Sequence, residues 1–316
     1  MRKRRQTNRH RLVRRRLLRV GAGSLGVSLF PALAARSQDA ASSVTTTDLG
    51  GLSLLQVAGC NVLAMHGDDG ALMIDGGPPA SADALLRAVY AATRNDRVRL
   101  LINTHWHREQ TGANELVGRS GGTIFAHEKT RMVLSSKVYE MIAKDRFERV
   151  PPLPEAARPT ETTHGEGSLE FAGHKIDYGY LPAAHTDGDL FVHFASLNLL
   201  AAGGVVSGER WPLLDYRNGA WLGGRVRALE RLANLVKPDT RVVPAQGRLI
   251  MGRDVMHQRD IYDAMFETMI GYMNKGLGAE DVVPLNPLRR YESELGDASA
   301  FLDGAYRSMQ IAYVPD

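Results

Sequence analysis

The sequence has 316 residues, of which 44% are hydrophobic and 7% aromatic, enough apolar material for one large globular domain or two modest ones. It contains a single cysteine, Cys60, which excludes an intramolecular disulfide and a structural zinc cluster made of cysteines. Any metal must therefore be held by His, Asp or Glu, and we predict that Cys60 is a small buried residue. The net charge is +4, and ten of the 39 basic residues lie within the first 19 positions.

The N-terminal segment has the three parts of a secretory signal. Residues 1–19 carry ten Lys or Arg and no acid, residues 20–35 are apolar and small, and Ala32-Leu33-Ala34 resembles a cleavage site. Three consecutive arginines, Arg14 to Arg16, precede two leucines and resemble a twin-arginine signal, which exports folded proteins. We predict that residues 1–35 are a twin-arginine-type (Tat) signal peptide and that the mature protein is periplasmic or otherwise exported.

The basic run has two other interpretations. It could be an arm that binds nucleic acid or an anionic membrane, although the apolar stretch and the cleavage site follow it directly. It could also flank a retained anchor, but the apolar stretch is shorter than the roughly 20 residues that span a bilayer. Cleavage after Ala34 leaves 29 basic and 35 acidic residues, a net charge of −6. We therefore expect no nucleic-acid partner and no stable membrane anchor after cleavage.

The next segment, residues 36–51, is polar and small, and it is predicted to be a leader to a domain that starts near Leu52. Two apolar runs follow, at 56–65 and 71–74. They are separated by Gly67-Asp68-Asp69-Gly70, a sequence typical of the turn of a β-hairpin. The domain is therefore predicted to begin with antiparallel strands.

Strand and helix patterns alternate after this hairpin. In chain order they predict a helix that Ser81 could cap, strands at 98–102 and 123–125, and a helix over 128–148. Residues 150–168 are rich in Pro and Thr and are expected to cross the surface. The later predicted elements are strands at 169–171, 175–181, 190–194 and 199–202, a helix over 222–236 and a strand at 241–244.

Two similar β-rich halves with helices outside predict two packed sheets with helices on both faces, within a domain over residues 52–252. Helical patterns at 253–274 and 298–310 predict a C-terminal helical appendage over 253–316. The expected fold class is therefore α/β.

Two histidines, His105 and His107, flank Trp106 at the end of the predicted strand 98–102. Both imidazoles can reach one side only if the chain turns there, and such a turn is an ordinary place for a metal site. The spacing alone is weak, because a solvated or core-satisfied pair is the commoner explanation. The Asp187-Gly188-Asp189 segment also invites a metal interpretation, but a tight turn explains it better.

The order of four segments along the chain makes a metal site at these histidines a more specific prediction. They are Ile74-Asp75-Gly76-Gly77, Asn103 to Gly112 (NTHWHREQTG), Ala184 to Asp189 (AHTDGD) and Val243 to Gly247 (VPAQG). This order resembles the metallo-β-lactamase-fold hydrolases, whose signature is H-x-H-x-D-H followed by a later His, an Asp and a last His. The resemblance covers about residues 52–250 and implies a four-layer αββα sandwich.

The resemblance implies that His105, His107 and His185 are the three ligands of a first metal site. Three neutral imidazoles around one zinc leave a fourth position for water, as a catalytic site requires. Three histidines can also hold ferrous iron. Asp75 matches a superfamily acid behind the metal site, where it would hold the loop and orient ligands.

The second metal site of the family is altered. Gln110, Gly204 and Gln246 stand where its ligands are expected, and Glu109 replaces the usual Asp. Gln is a poor zinc ligand and Gly offers no side chain, so we predict a mononuclear site or an empty one. Glu109 is the candidate for activating the water, although it could instead hydrogen-bond the backbone of its own loop.

The resulting hypothesis is an exported hydrolase with one zinc, whose metal-bound water attacks an ester, lactone or amide of a small-molecule substrate. The alternatives are a non-catalytic, metal-stabilised binding protein and a mononuclear iron oxidoreductase. Five aromatic residues are candidates for lining the substrate cleft: Trp106, Trp211, Trp221, Tyr139 and Tyr216.

Overall fold

The computed structural model describes residues 43–143, 146–212 and 214–312. The predicted signal peptide and residues 36–42 of the predicted leader lie outside these described residues. No helix in the described part of the chain is both long and apolar enough to cross a membrane.

The described residues form fifteen strands and nine α-helices. The strands are β1 (Thr45–Asp48), β2 (Ser53–Val57), β3 (Cys60–Met65), β4 (Ala71–Ile74), β5 (Val98–Ile102), β6 (Thr123–His127), β7 (Val138–Ala143), β8 (Arg146–Val150), β9 (Glu161–Thr163), β10 (Gly167–Phe171), β11 (His174–Leu181), β12 (Asp189–Phe194), β13 (Leu199–Gly203), β14 (Arg241–Pro244) and β15 (Ile250–Met251). The helices are α1 (Ala82–Thr93), α2 (Arg108–Thr111), α3 (Asn114–Arg119), α4 (Glu128–Leu134), α5 (Leu222–Leu235), α6 (Gly252–Met273), α7 (Ala279–Leu285), α8 (Glu292–Leu295) and α9 (Ser299–Ala312).

Two large sheets form the centre of the fold. The first has the order β1-β2-β3-β4-β5-β6-β9 and is antiparallel up to β4 and parallel from β4 to β9. The second has the order β10-β11-β12-β13-β14-β15, and β7 and β8 pair separately. The predicted hairpin around Gly67 to Gly70 is confirmed as the antiparallel pair β3 and β4.

Apolar side chains cover both faces of both sheets. One buried cluster joins Leu63 and Ile102 of the first sheet to Val192 and Leu199 of the second, so the sheets pack face to face. The outer face of the first sheet packs against α1, and the outer face of the second packs against α5 and the C-terminal helices. The predicted four-layer α/β sandwich is therefore confirmed.

The C-terminal helices share the core of the second sheet. Tyr262 of α6 and Phe301 and Tyr306 of α9 are buried in the same cluster as Leu229 of α5. The predicted helices at 253–274 and 298–310 are present as α6 and α9, and the sequence did not predict α7 and α8 between them. The appendage therefore packs as a continuation of the outer helical layer.

Two predictions near the start of the domain are wrong. The apolar run 56–65 is two strands, because Ala58 and Gly59 turn the chain with φ angles of 49° and 83°. The predicted leader contains strand β1, whose four residues are all exposed. An edge strand without a buried face has no apolar alternation to reveal it.

The helix predicted over 128–148 is also wrong beyond its first turns. Helix α4 ends at Leu134, where the hydroxyls of Ser135 and Ser136 donate to backbone carbonyls four residues back. The chain then forms the β7–β8 hairpin, whose register pairs Glu140 with Glu148. Asn218 donates to the Tyr139 carbonyl at 2.7 Å and so attaches the hairpin to a distant loop. This hairpin contributes a residue to the site described next.

Candidate metal centre

The three predicted ligands come from the ends of two strands in different sheets. His105 and His107 follow β5, and His107 occupies the cap position at which α2 begins. His185 lies in the turn between β11 and β12. The two segments are joined by a backbone hydrogen bond from Leu190 to the Thr104 carbonyl, 2.7 Å long. The packing of the two sheets therefore brings the three histidines together.

The three imidazoles surround one point. Their ring centroids are 4.8 to 4.9 Å apart, and their planes are nearly perpendicular to one another. The Nε2 atom of His185 lies 3.1 Å from the Nδ1 atom of His107. Tetrahedral zinc separates two ligand nitrogens by about 3.3 Å, so this donor set fits one such ion. We call His105, His107 and His185 the three-histidine centre.

A hydrogen-bonded chain sets the orientation of His105. The Thr104 hydroxyl donates to Asp75 at 2.8 Å and lies 3.0 Å from Nδ1 of His105. Because the Thr104 hydroxyl donates its hydrogen to Asp75, its oxygen accepts a hydrogen bond from Nδ1–H of His105, and the lone pair of the ring is left on Nε2. Asp75 lies behind the site, as the sequence indicated, but it reaches His105 through Thr104. Its role in metal binding stays a prediction.

Asp75 is held in an unusual environment. It is buried, its φ angle is 64°, and it also accepts a backbone hydrogen bond from Thr104 at 2.7 Å. Burial raises the pKa of Asp75 to about 7, although the hydrogen bonds from Thr104 oppose the shift.

This pKa gives a prediction for the metal-free protein. Between about pH 4 and pH 7 the folded chain keeps a proton on Asp75 that the unfolded chain has lost. The stability of wild type relative to Asp75→Asn is therefore expected to be highest below about pH 4 and to fall as the pH rises to about 7. Thermal unfolding of both proteins in chelator measures this difference. If the stability difference between wild type and Asp75→Asn stays constant from about pH 4 to pH 7, the raised pKa of Asp75 is contradicted.

His107 has an acidic neighbour that the sequence did not indicate. Asp215 is fully buried, and its carboxylate lies 3.8 Å from Nε2 of His107, on the side of the ring away from His185. Burial lowers the pKa of His107, but Asp215, Glu109 and Glu140 together raise it above its ordinary value. Burial lowers the pKa of His105 far below its ordinary value. No spacing rule connects residues as distant in sequence as 107 and 215.

The polar side chains at the altered positions of the second site form hydrogen bonds within the protein. The Gln246 side chain donates to Glu109 at 3.3 Å and accepts from Arg210 at 3.1 Å. Gln110 is buried and its side-chain amide donates to the Ala245 carbonyl at 3.4 Å. Glu109 therefore hydrogen-bonds a distant side chain, and Arg210 is a cation that no sequence pattern assigned to the site.

Gly204 lies against the three-histidine centre. A Cβ atom built on this residue would lie less than 3.0 Å from Cδ2 and from Nε2 of His185, closer than real Cβ atoms approach their neighbours. The carbonyl of Gly204 accepts a hydrogen bond from the buried Arg225 at 3.0 Å. The ring of His185 therefore fills the space that a side chain at position 204 would need.

The segment 186–189 is a turn, as expected. Asp189 accepts from the backbone nitrogens of His185 and Thr186, and burial raises its pKa to about 6. Asp187 accepts from Lys129 and Tyr180. The carboxylates of Asp187 and Asp189 therefore serve as hydrogen-bond acceptors within the turn and its surroundings.

A cavity of about 700 Å³ opens above the centre. Its lining combines apolar residues with charged or amide side chains: Val206, Trp211, Pro212, Ala300, Phe301, Glu109, Glu140, Glu209, Arg210, Gln246 and Asp297. Of the five aromatic residues predicted for the cleft, Trp211 alone lines this cavity. Trp106 is 1% exposed, and Tyr139 is 60% exposed on the outer side of its hairpin.

Comparisons with known proteins support a metallo-hydrolase fold. Residues 55–247 match the family model described as the metallo-beta-lactamase superfamily, whereas a comparison with curated proteins finds no match. A metallo-beta-lactamase from Pontibacter korlensis is 19% identical, with a TM-score of 0.56 over 70% of this chain and 99% of that chain. The DIM-1 metallo-beta-lactamase is 16% identical, with a TM-score of 0.55 over 71% of this chain and 98% of its own.

A sulfatase matches more of this chain. The stereoselective inverting sec-alkylsulfatase Pisa1 from Pseudomonas sp. is 14% identical, with a TM-score of 0.64 over 86% of this chain and 50% of that chain. At such identities the solved structures show a common fold and nothing finer. The family match, however, covers more than half of the sequence. The chain belongs to the metallo-beta-lactamase superfamily.

Proposed function

We propose that the chain is an exported, zinc-dependent hydrolase that acts on an ester, lactone or amide of a small molecule. The observation that carries this proposal is the convergence of three buried imidazoles at the floor of a cavity. Zinc held by three histidines supplies a Lewis acid and lowers the pKa of water to about 7. Similar structures are named metallo-beta-lactamases and a sec-alkylsulfatase, which agrees with hydrolysis and leaves the substrate open.

The roles proposed for the residues follow from their contacts. Thr104 and Asp75 orient His105, and Asp215 faces the outer nitrogen of His107. Glu109 lies two residues beyond a ligand, lines the cavity and is held by Gln246, so its carboxylate can orient a water or take its proton. The apolar wall around Trp211 and Phe301 is proposed to hold the hydrocarbon part of the substrate.

The test is elemental analysis of the purified protein together with a panel of ester, lactone and β-lactam substrates. His105→Ala is expected to remove the zinc and abolish hydrolysis, because two imidazoles remain where three are needed. Glu109→Gln is expected to keep the zinc and to lower kcat by about 10²-fold or more. His257→Ala is the matched control, since this histidine is exposed on α6 and pairs with Glu294. Hydrolysis that survives His105→Ala would contradict the proposal.

One observation favours a second candidate, a non-catalytic binding protein. Glu109 is tied to Gln246 and Gln246 to Arg210, so the acid proposed for water activation is already engaged. In that case zinc would be bound and would stabilise the fold, and no substrate of the panel would be turned over. A protein that carries iron instead of zinc and consumes oxygen would replace both candidates by an oxidoreductase.

A further inference from the structure

Two acidic side chains face the cavity beside the three-histidine centre. Carboxylate oxygens of Glu109 and Glu140 lie within 4.8 Å of each other and of a ring nitrogen of His107. Among the described residues, neither acid forms such a group with His105 or His185. The carboxylate pair, Glu109 and Glu140, is therefore adjacent to the three-histidine centre on the side of His107.

Glu140 is a buried acid that has no hydrogen-bond or ion-pair partner among the described residues. Its side chain is 7% exposed and lines the cavity, and no described residue gives it a hydrogen bond or an ion pair. A buried carboxylate in this state is strongly disfavoured unless a positive charge or a proton lies next to it. Glu148, which stands opposite on the neighbouring strand, is exposed to solvent. The hairpin thus directs one of its two opposed acids into the site.

The available donors define the kind of ion. Nδ1 of His107 faces His185 and is assigned to the three-histidine centre, and Nε2 lies 3.8 Å from the Asp215 carboxylate. The two carboxylates are therefore the donors left for a second ion. One oxygen of Glu109 accepts from Gln246, and its other oxygen has no hydrogen bond from a described residue. Carboxylate oxygens without imidazole or thiolate suit Mn²⁺ or Mg²⁺ better than zinc.

We propose that Glu109 and Glu140 bind a second divalent cation, of the oxygen-preferring class of Mn²⁺ and Mg²⁺, next to the three-histidine centre. The proposed site shares Glu109 with the altered second site of the family, but its other ligand, Glu140, comes from the β7–β8 hairpin and not from position 110, 204 or 246. Two carboxylates offset the charge of one dication, and water completes the coordination shell. The single zinc of the proposed function is retained.

The experiment titrates Mn²⁺ into full-length protein that already carries one equivalent of zinc. Electron paramagnetic resonance measures free Mn²⁺, and elemental analysis checks that the zinc stays bound. Wild type is expected to bind one Mn²⁺ per chain, and Glu140→Gln is expected to lose this binding while keeping its zinc. Glu148→Gln is the matched control and is expected to bind like wild type. His105→Ala is expected to lose zinc and keep Mn²⁺, which separates this proposal from the proposed function.

Two results would overturn the inference. One is that wild type takes up no Mn²⁺ beyond its zinc, in which case the carboxylate pair shares a proton instead. The other is that Glu140→Gln binds Mn²⁺ as wild type does. Thermal unfolding of the zinc-loaded variants checks that they fold. If Glu140→Gln does not fold, Glu109→Gln is measured in its place and is expected to lose the same Mn²⁺.

Discussion

Gly204→Asp is expected to remove the metal from the three-histidine centre rather than to create a second zinc site. Aspartate is the residue that the family signature has here, so by sequence alone the substitution restores a ligand. The geometry indicates the opposite, because the new Cβ would lie less than 3.0 Å from Cδ2 of His185. Arg225 holds the Gly204 carbonyl from behind, so the imidazole must move rather than the backbone. If His185 is displaced, only His105 and His107 of the three-histidine centre remain to bind the metal.

Zinc affinity measured by competition with a chelator checks this prediction. Gly204→Ala, which adds only the clashing carbon, is expected to weaken zinc binding in the same direction. Gly271→Ala in α6 is the control, because a Cβ there meets no atom within 4 Å and alanine favours a helix. A Gly204→Asp protein that binds two zinc ions would contradict the prediction, because it would show that His185 can move and still bind zinc.

Arg225→Ala is expected to lower the free energy of unfolding by about 3–5 kcal/mol. The side chain is fully buried on α5, donates to the carbonyls of Gly204 and Val205, and lies over the ring of Tyr262 at 5.3 Å. Its removal leaves two buried carbonyls without a donor and opens a cavity between α5 and α6. Since one of those carbonyls belongs to Gly204, zinc affinity is expected to fall as well.

Chemical denaturation of the zinc-free and zinc-loaded proteins measures both effects. Arg227→Ala supplies the comparison, because Arg227 lies on the same helix, is exposed and lies over the ring of Trp221 at 5.0 Å. Its loss is expected to change stability by less than about 1 kcal/mol. If the two arginine variants unfold alike, the buried guanidinium contributes nothing to the loop that carries Gly204.

Fold prediction from the sequence succeeded where apolar periodicity was strong. Strands β5 and β14 and helix α5 lie where the pattern placed them, within a residue, because their buried faces must be apolar. It failed for the β7–β8 hairpin, whose residues also suit a helix. That segment is held by contacts with a distant loop, such as Arg217 over the ring of Phe147 at 4.1 Å. Local secondary-structure propensity does not depend on such long-range contacts and cannot predict them.

The residues of the candidate site likewise divide into those that the sequence predicted and those that it did not. His105 and His107 around Trp106 indicate the metal centre only together with the order of the four segments, because their spacing alone is weak. Asp215 and Glu140 gave no signal, because each reaches the histidines from a segment with its own, unrelated pattern.

The sequence by itself determined the α/β layers through apolar periodicity, and the order of four short segments determined the superfamily and, through that resemblance, the three histidines. Tertiary structure alone decided what surrounds them: His185 against Gly204, Gln246 between Glu109 and Arg210, and Glu140 facing the cavity. These relations join residues far apart in the chain. They depend on how two sheets and a hairpin pack. The type of a residue does not determine which distant residue it will contact.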